Sequence, residues 1–197
     1  MKAFSGAIAG ILILALLVAL ICGWMYVSSR NQMVTLNEQV KSNWAEVDVV
    51  LQRRADLIPN LVETVKGFAA QEQTVFDDIA KARAQYLSSQ TPADKIAASE
   101  QLRGFEIKLL QLVENYPQLK SNENFLRLQD EISGTENRIA VERKRYNDSI
   151  QAYNTYIGKF PNSIFAAWAG YHRNDAYFQA AEGSREAPKV QFPGPNR

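Results

Sequence analysis

The chain has 197 residues, of which 46% are hydrophobic and 22% are charged, with 10 Gly and 7 Pro. This composition is typical of one folded domain with short extensions, and it argues against repeat arrays and general disorder. Of the 22 Lys and Arg residues only Lys2 precedes residue 30, so the rest of the chain carries 21 basic and 21 acidic residues. This neutral balance argues against nucleic-acid binding, which normally requires an excess of positive charge.

The N-terminal segment has the features of a membrane anchor. No charged residue occurs from Ala3 to Ser29, and "AIAGILILALLVALICGWMYV" (residues 7–27) is an unbroken apolar run. As a helix of about 31 Å it is long enough to cross the hydrocarbon core of a bilayer. A cleaved secretory signal is the alternative, but this run exceeds the usual apolar region of about 7–15 residues and no A-x-A-like site follows it. We therefore predict an uncleaved, single-pass transmembrane anchor over residues 1–29.

The residues that flank the apolar run do not determine its orientation. Lys2 and the α-amino group lie on one side, and Arg30 and Lys41 lie on the other. Because these positive charges nearly balance, the positive-inside rule leaves the side of the following domain undetermined.

The rest of the chain shows helical periodicity throughout. The first apolar seam follows 4-3-4-3 spacing and comprises Val40, Trp44, Val47, Leu51, Arg54, Ile58, Leu61, Val65 and Phe68. This spacing is typical of a long packed helix, and Arg54 is the one polar residue in it. Pro59 removes a backbone donor, so we predict a kink or short break near residues 55–58.

Three further helices are predicted along the chain, and no β-strand is. One covers about residues 71–88, and a second begins after the N-cap Thr91 and runs to about residue 115. "YPQLKSNEN" (116–124) is a break in which Ser121 or Asn122 caps the next helix. Its heptad positions are Phe125, Ile132, Ile139, Tyr146, Tyr153 and Phe160, with Glu142 among the residues of the intervening stripe. Residues 162–178 are predicted to form a short amphipathic segment, and the tail after residue 182 is predicted to be loose.

The residues that support common enzyme chemistries are missing from the sequence. His172 is the only histidine and Cys22 the only cysteine, so His-rich or Cys-based metal sites and a separate Ser-His-Asp relay are excluded. No P-loop or G-x-G-x-x-G pattern occurs. Gly67, Gly104 and Gly134 stand alone in helical stretches, where they predict close helix approach. We expect no enzyme activity, no metal and no cofactor.

Several long blocks resemble the LemA family of bacterial proteins. They are "NWAEVDVVLQRRADLIPNLVETVKGF", "YPQLKSNENFLRLQDEI", "ENRIAVERKRYNDSIQAYN" and "FPNSIFA", and the resemblance extends from about residue 31 to residue 178. The resemblance implies a non-enzymatic protein of the bacterial cytoplasmic (inner) membrane. It also implies an all-α fold in which one transmembrane helix precedes an antiparallel up-and-down four-helix bundle, which we assign to residues 30–182, with a flexible tail over 183–197.

One polar constellation stands out within the first seam. It comprises Arg53, Arg54, Asp56, Asn60 and Glu63, and the last three share one helix face. Three interpretations remain open: an internal polar network that fixes helix register, a surface for a protein partner, and a site for a small polar ligand.

The register of the first and last long helices leads to a specific pair. If Phe68 lies opposite Phe125, position i faces roughly position 193 − i in antiparallel heptad packing. Arg54 then lies within one turn of Glu142, so we predict a charge-assisted pair between them, with Arg53 directed more toward solvent.

These features favour a membrane-anchored interaction or scaffold protein. Its predicted partners are the lipid bilayer, through residues 3–29, and another protein or a second copy of the chain. The alternative is a ligand-binding or sensory module that holds a small polar molecule near Arg53 and Arg54.

Overall fold

The computed structural model describes residues 2–179, with side chains from residue 10 onward. This part of the chain contains six helices and no strand. The helices are α1 (Lys2–Lys66), α2 (Gln73–Ser88), α3 (Pro92–Val113), α4 (Pro117–Lys120), α5 (Glu123–Gly158) and α6 (Asn162–Ala169). The all-α class is confirmed, as is the long apolar helix at the N-terminus. The short helix α4 was not predicted, and the tail over 183–197 lies outside the described residues.

Helix α1 joins the apolar segment to the bundle without a change of structure. It spans 65 residues, and its apolar part is exposed, with Ile11 at 66% and Leu14 at 63%. Of the described helices, α1 is the one that is long and apolar enough to cross a membrane. The same helix therefore includes both the predicted anchor and the first seam of the bundle.

The long helices alternate in direction along the chain. Helix α3 runs parallel to α1, because Lys95 contacts Asp48 and, farther along both helices, Glu106 contacts Arg54. Helices α2 and α5 run the opposite way. Their contacts with α1 are Tyr86 with Asp48 and Arg83 with Ala55 on α2, and Arg145 with Asn43 and Glu136 with Arg54 on α5.

The predicted seams form the core, with errors at their ends. The described residues of α1 and α5 with 1% exposure or less are Met33, Val47, Ala55, Ile58, Leu61, Val65, Ile139, Tyr146 and Ile150. Phe68 and Phe160 were placed in the seams but are 39% and 82% exposed. The glycine prediction was also wrong, since a Cβ added at Gly104 or Gly134 would meet open space.

Two helix starts are confirmed in detail. The Thr91 hydroxyl accepts a hydrogen bond from the backbone N–H of Asp94 at 3.2 Å. The Asn122 side-chain oxygen accepts one from the N–H of Phe125 at 3.1 Å. Each bond satisfies a backbone donor that has no partner within its own helix.

Pro59 does not break α1, so of the predicted kink or short break the break is absent, and a second helix compensates for the missing donor. Pro59 has no N–H, so the carbonyl of Ala55 loses its partner within the helix. The Arg83 Nε on α2 donates a hydrogen bond to that carbonyl at 2.9 Å. This contact lets α1 remain helical throughout and attaches α2 to it.

Arg83→Met is expected to lower the free energy of unfolding by about 1–3 kcal/mol, because it leaves the Ala55 carbonyl partly buried without a donor. The matched control is Pro59→Ala, which restores an N–H for that carbonyl. In the Pro59→Ala background the same Arg83 substitution should cost distinctly less. The coupling is measured by urea unfolding, followed by circular dichroism, of the unaltered chain, the two single variants and the double variant. Equal losses with and without Pro59→Ala would contradict the view that Arg83 replaces the missing donor of Pro59.

The segment after α6 packs back along α5 as an irregular strap (residues 171–179). Two asparagines one heptad apart on α5 hold it. Asn154 bonds both the backbone N–H and the carbonyl of Asn174, at 2.9 and 2.6 Å. Asn147 does the same for Phe178, at 3.0 and 2.9 Å. The predicted amphipathic segment is thus helical only in its first half.

Candidate functional site

Arg54 lies at the centre of the bundle because its seam position directs it inward. It follows Leu51 by three residues and precedes Ile58 by four, and both neighbours are buried in the core. The Arg54 side chain itself is 6% exposed. A guanidinium group is charged at all relevant pH values, so its burial requires acidic partners.

Two carboxylates from different helices surround Arg54. Its Nε and Nη2 each lie 2.8 Å from the same oxygen of Glu106 on α3. Its Nη1 donates to Glu136 on α5 at 2.7 Å. All three guanidinium nitrogens are therefore engaged, and the group joins α1, α3 and α5 at one level of the bundle.

Glu106 is the buried anion of this site, with a side chain that is 6% exposed. Burial raises the pKa of its carboxyl group above the ordinary value, and the nearby Glu136 raises it further. Arg54 opposes both effects, but burial is the largest contribution. The bond to Arg54 thus keeps a charge inside the bundle that would otherwise favour protonation.

The ion pairs continue from Glu136 to two residues of α3 and then back to α5. Arg103 lies 3.1 Å from the second oxygen of Glu136 and 3.6 Å from Glu100. Glu100 in turn contacts Arg143 on α5. These six residues, which we call the charge ladder, are Arg54, Glu106, Glu136, Arg103, Glu100 and Arg143. Three positive and three negative groups alternate in it, so its formal net charge is zero.

The Arg143 end of the charge ladder meets the strap. The Arg143 guanidinium lies 4.7 Å from the centre of the Phe178 ring. Phe178 also packs on Trp44 and Tyr146, with ring centres 6.4 and 5.9 Å away. The strap therefore covers both the last cation of the ladder and an aromatic cluster of the core.

The geometry of the charge ladder is suited to fixing helix positions. A cleft of about 170 Å³ lies beside it, and its lining outside the ladder consists of Ile107, Leu110, Gln129, Ile132 and Ser133. The Arg54 and Glu106 groups point at each other rather than into open space. Within the described part of the chain, no group of three or more His, Cys, Asp or Glu side chains is placed to hold a metal ion.

The predicted pair of Arg54 and Glu142 is wrong. Glu142 pairs with Arg145 on its own helix at 2.9 Å. The contacts of Arg54 and Asn43 place position i opposite about position 189 − i, close to one helical turn from the predicted register. This shift brings Glu136 to the level of Arg54 and moves Glu142 beyond it.

The other predicted site residues lie on the outer face of α1. Arg53, Asp56, Asn60 and Glu63 are exposed, and their 3-4-3 spacing places them in one line, which we call the polar stripe. Asp56 accepts a hydrogen bond from Gln52 at 3.0 Å, and Glu63 pairs with Lys66 at 2.9 Å. The structure thus separates Arg54 from the residues with which it was grouped.

Five ladder residues were missed in the sequence, although two left a signal. Glu106 follows Leu102 by four residues and precedes Leu109 by three, so it occupies a core position in α3. Arg143 is the first residue of the basic run "RKR" (residues 143–145) on α5. Its side chain is 18% exposed, whereas those of Lys144 and Arg145 are 78% and 64% exposed.

The fold and this site define an all-α protein whose apolar N-terminal helix continues into a helical bundle closed by internal ion pairs. The apolar helix indicates association with a membrane. The LemA family model matches residues 43–192. The chain therefore belongs to the LemA family.

Curated relatives agree with this assignment. Magnetosome protein MamQ 1 of Paramagnetospirillum magneticum is 27% identical over 175 residues, covering 76% of this chain and 64% of that protein. Magnetosome protein MamQ of Magnetospirillum gryphiswaldense is 25% identical over 179 residues, covering 78% and 66% respectively. Protein LemA of Metamycoplasma hominis is 22% identical over 166 residues, covering 82% and 74%. The chain thus spans just under two thirds of the length of the two MamQ proteins.

Proposed function

We propose that this protein is a membrane-anchored, non-enzymatic scaffold of the bacterial cytoplasmic membrane, and that its bundle presents helical surfaces to a protein partner. In this proposal residues 1–29 form the single-pass anchor, residues 30–182 the bundle and residues 183–197 the tail. Membership of the LemA family supports it, whereas the magnetosome names of two relatives describe those proteins alone.

One observation carries this proposal: α1 is a single helix from the apolar segment to the far end of the bundle. The part from residue 28 to Lys66 extends about 58 Å at the helical rise. Because the charge ladder ties this helix to α3 and α5, the bundle projects from the membrane as one body. Such a body can hold a partner at a set height above the bilayer.

The polar stripe is the proposed contact surface. It lies on the outer face of α1 and carries both signs of charge, with Arg53 next to Asp56 and Glu63 farther along. Charged rims of this kind give an interface specificity and orientation. The ligand-binding alternative has less support, because all three nitrogens of Arg54 already bond carboxylates.

Site-specific photo-crosslinking in native membranes tests this proposal. A photoreactive side chain at the exposed Asn60 should give one or a few discrete crosslinked proteins. The matched control is Lys144, which is 78% exposed on α5. Reversal of charge at Arg53 should remove the Asn60 crosslinks, because it disrupts the same surface. Equal, diffuse crosslinking from both positions would contradict the proposal, and a small bound mass lost in Arg53→Ala would favour the ligand alternative.

A further inference from the structure

Helix α6 lies against the end of the apolar segment of α1. The Phe165 ring meets the Tyr26 ring edge-on, with centres 5.7 Å apart and an interplanar angle of 81°. The Ser29 hydroxyl donates to the Asn162 side-chain oxygen at 2.7 Å. These contacts place α6 at the level of the last residues of the predicted membrane-crossing run.

The outer side of α6 is apolar and exposed. Ile164 and Trp168 are four residues apart, so they share one side of α6, and Phe160 lies in the turn just before this helix. These three residues are 42%, 74% and 82% exposed. Of the described large hydrophobic side chains after residue 30, Phe160 and Trp168 are the most exposed. No charged residue occurs from Phe160 to Tyr171.

We propose that α6 is a second membrane contact, which lies in the bilayer interface and inserts Phe160, Ile164 and Trp168 at the boundary between headgroups and acyl chains. The position of α6 supports a lipid occupant. If residues 7–27 fill the hydrocarbon core, the surface around Tyr26 is at the interface, where tryptophan is favoured. Arg30 and Lys159 are exposed next to Ser29 and Phe160, close to the start of α6, where anionic headgroups can meet them.

Attachment at two points has a consequence for the whole bundle. A single helix leaves the bundle free to tilt and rotate about the anchor, whereas α6 packs beside α1 and adds a contact off its axis. The bundle then has a set orientation relative to the bilayer. This inference rests on the anchor crossing the membrane and does not require the scaffold role.

Fluorescence quenching in proteoliposomes tests the proposal on the full chain. The vesicles contain phosphatidylcholine and phosphatidylglycerol, and part of the phosphatidylcholine is brominated near the carbonyl end of its acyl chains. W24F/W44F leaves Trp168 as the only tryptophan, and W44F/W168F leaves Trp24. The matched control is W24F/W44F/W168F/V141W, because Val141 is 50% exposed on α5. By the pairing of α1 and α5 this position lies about 30 Å along the bundle from Ser29.

We expect brominated lipid to remove about half of the Trp168 emission, because an interfacial ring lies within reach of the quencher, and to leave the V141W control nearly unchanged. If Trp24 is quenched but Trp168 is quenched no more than the control, the proposal is overturned and the anchor stands. If the emission of neither Trp168 nor Trp24 is quenched, the membrane anchor is overturned as well.

Trp44 packs on Tyr146 in the core with ring centres 5.3 Å apart, so its replacement removes a core contact. A second measurement therefore uses variants that keep Trp44. The variants C22S/I164C and C22S/V141C are reconstituted separately in vesicles of the same lipid composition without brominated lipid. Each variant carries one nitroxide label on its introduced cysteine. The label at position 164 should collide more with oxygen than with a water-soluble nickel complex, and the label at position 141 should show the reverse. A label at position 164 that is protected from both reagents would show that protein covers this face, and would overturn the lipid assignment.

Discussion

Arg54→Ala is expected to lower the free energy of unfolding by about 3–5 kcal/mol, because it leaves the buried Glu106 carboxylate without its cation. The measurement is urea unfolding of the full chain in mild detergent, followed by circular dichroism. Arg53→Ala is the matched control, since Arg53 is the adjacent residue on the exposed face of α1. Its substitution should change the free energy by about 0.5 kcal/mol or less. Equal effects of the two substitutions would show that the Arg54 contacts contribute little.

The Arg54→Ala loss is also expected to depend on pH. The pKa of Glu106 is raised in the folded protein above its ordinary value of 4.5, so ionisation of Glu106 reduces stability as pH rises through the folded pKa. Removal of Arg54 raises this pKa further, because Arg54 is the main group that lowers it. The deficit of the variant should therefore grow as pH rises above the ordinary pKa of 4.5, and it should shrink as pH falls back toward that value and Glu106 becomes neutral.

Removal of both the Arg54 and the Glu106 charge distinguishes the contribution of ion pairing from that of side-chain packing. Arg54→Met combined with Glu106→Leu eliminates the buried cation and anion together and leaves Glu136 paired with Arg103. We expect this double variant to be far more stable than Arg54→Ala, and close to the unaltered chain, because no charge remains buried without a partner. A double variant as unstable as Arg54→Ala would assign the effect to lost packing of the arginine side chain.

Tyr146→Ala is expected to destabilise the bundle by about 3–5 kcal/mol, because it opens a large cavity in a well-packed core. The Tyr146 side chain is 1% exposed and lies between Trp44 and Phe178. The loss should also release the strap, so the Phe178 N–H, which bonds Asn147, should exchange with solvent much faster. Urea unfolding and amide hydrogen exchange measure the two effects.

Tyr146→Phe is the control for the ring itself. Burial raises the pKa of Tyr146 to about 12, so its hydroxyl is neutral at physiological pH and this substitution removes no charge. It should cost about 1 kcal/mol or less, because the ring contacts with Trp44 and Phe178 remain. A loss as large as that of Tyr146→Ala would mean that the hydroxyl, rather than the ring, stabilises this part of the core.

Much of the fold could be predicted from local pattern. The seam of α1 from Val40 to Val65 is buried or half-buried at every position, including Arg54. The caps at Thr91 and Asn122 lie where the turn residues indicated. These features depend on the spacing of residues within one helix, so residues that are close in sequence determine them.

The candidate site could be predicted only in part. That Arg54 would be buried followed from its seam position, but its partners did not, because they lie on other helices. Glu142 and Glu136 are six residues apart on α5, and either could approach Arg54 at a slightly different register. The strap was missed for a similar reason, since Asn147 and Asn154 bond backbone groups of a segment that has no periodicity of its own.

The sequence by itself determined which long helices form and which face of each is buried, because helical periodicity and capping act within a few residues. Only the tertiary structure decided the register of α1 against α5 and the partners of Arg54. Seams that repeat every seven residues can slide by about one turn while most apolar contacts are preserved, so hydrophobic pattern alone distinguishes neighbouring registers poorly. The choice depends on contacts that no single helix contains, and Glu106 on α3 and Glu136 on α5 meet Arg54 only after three helices have packed together.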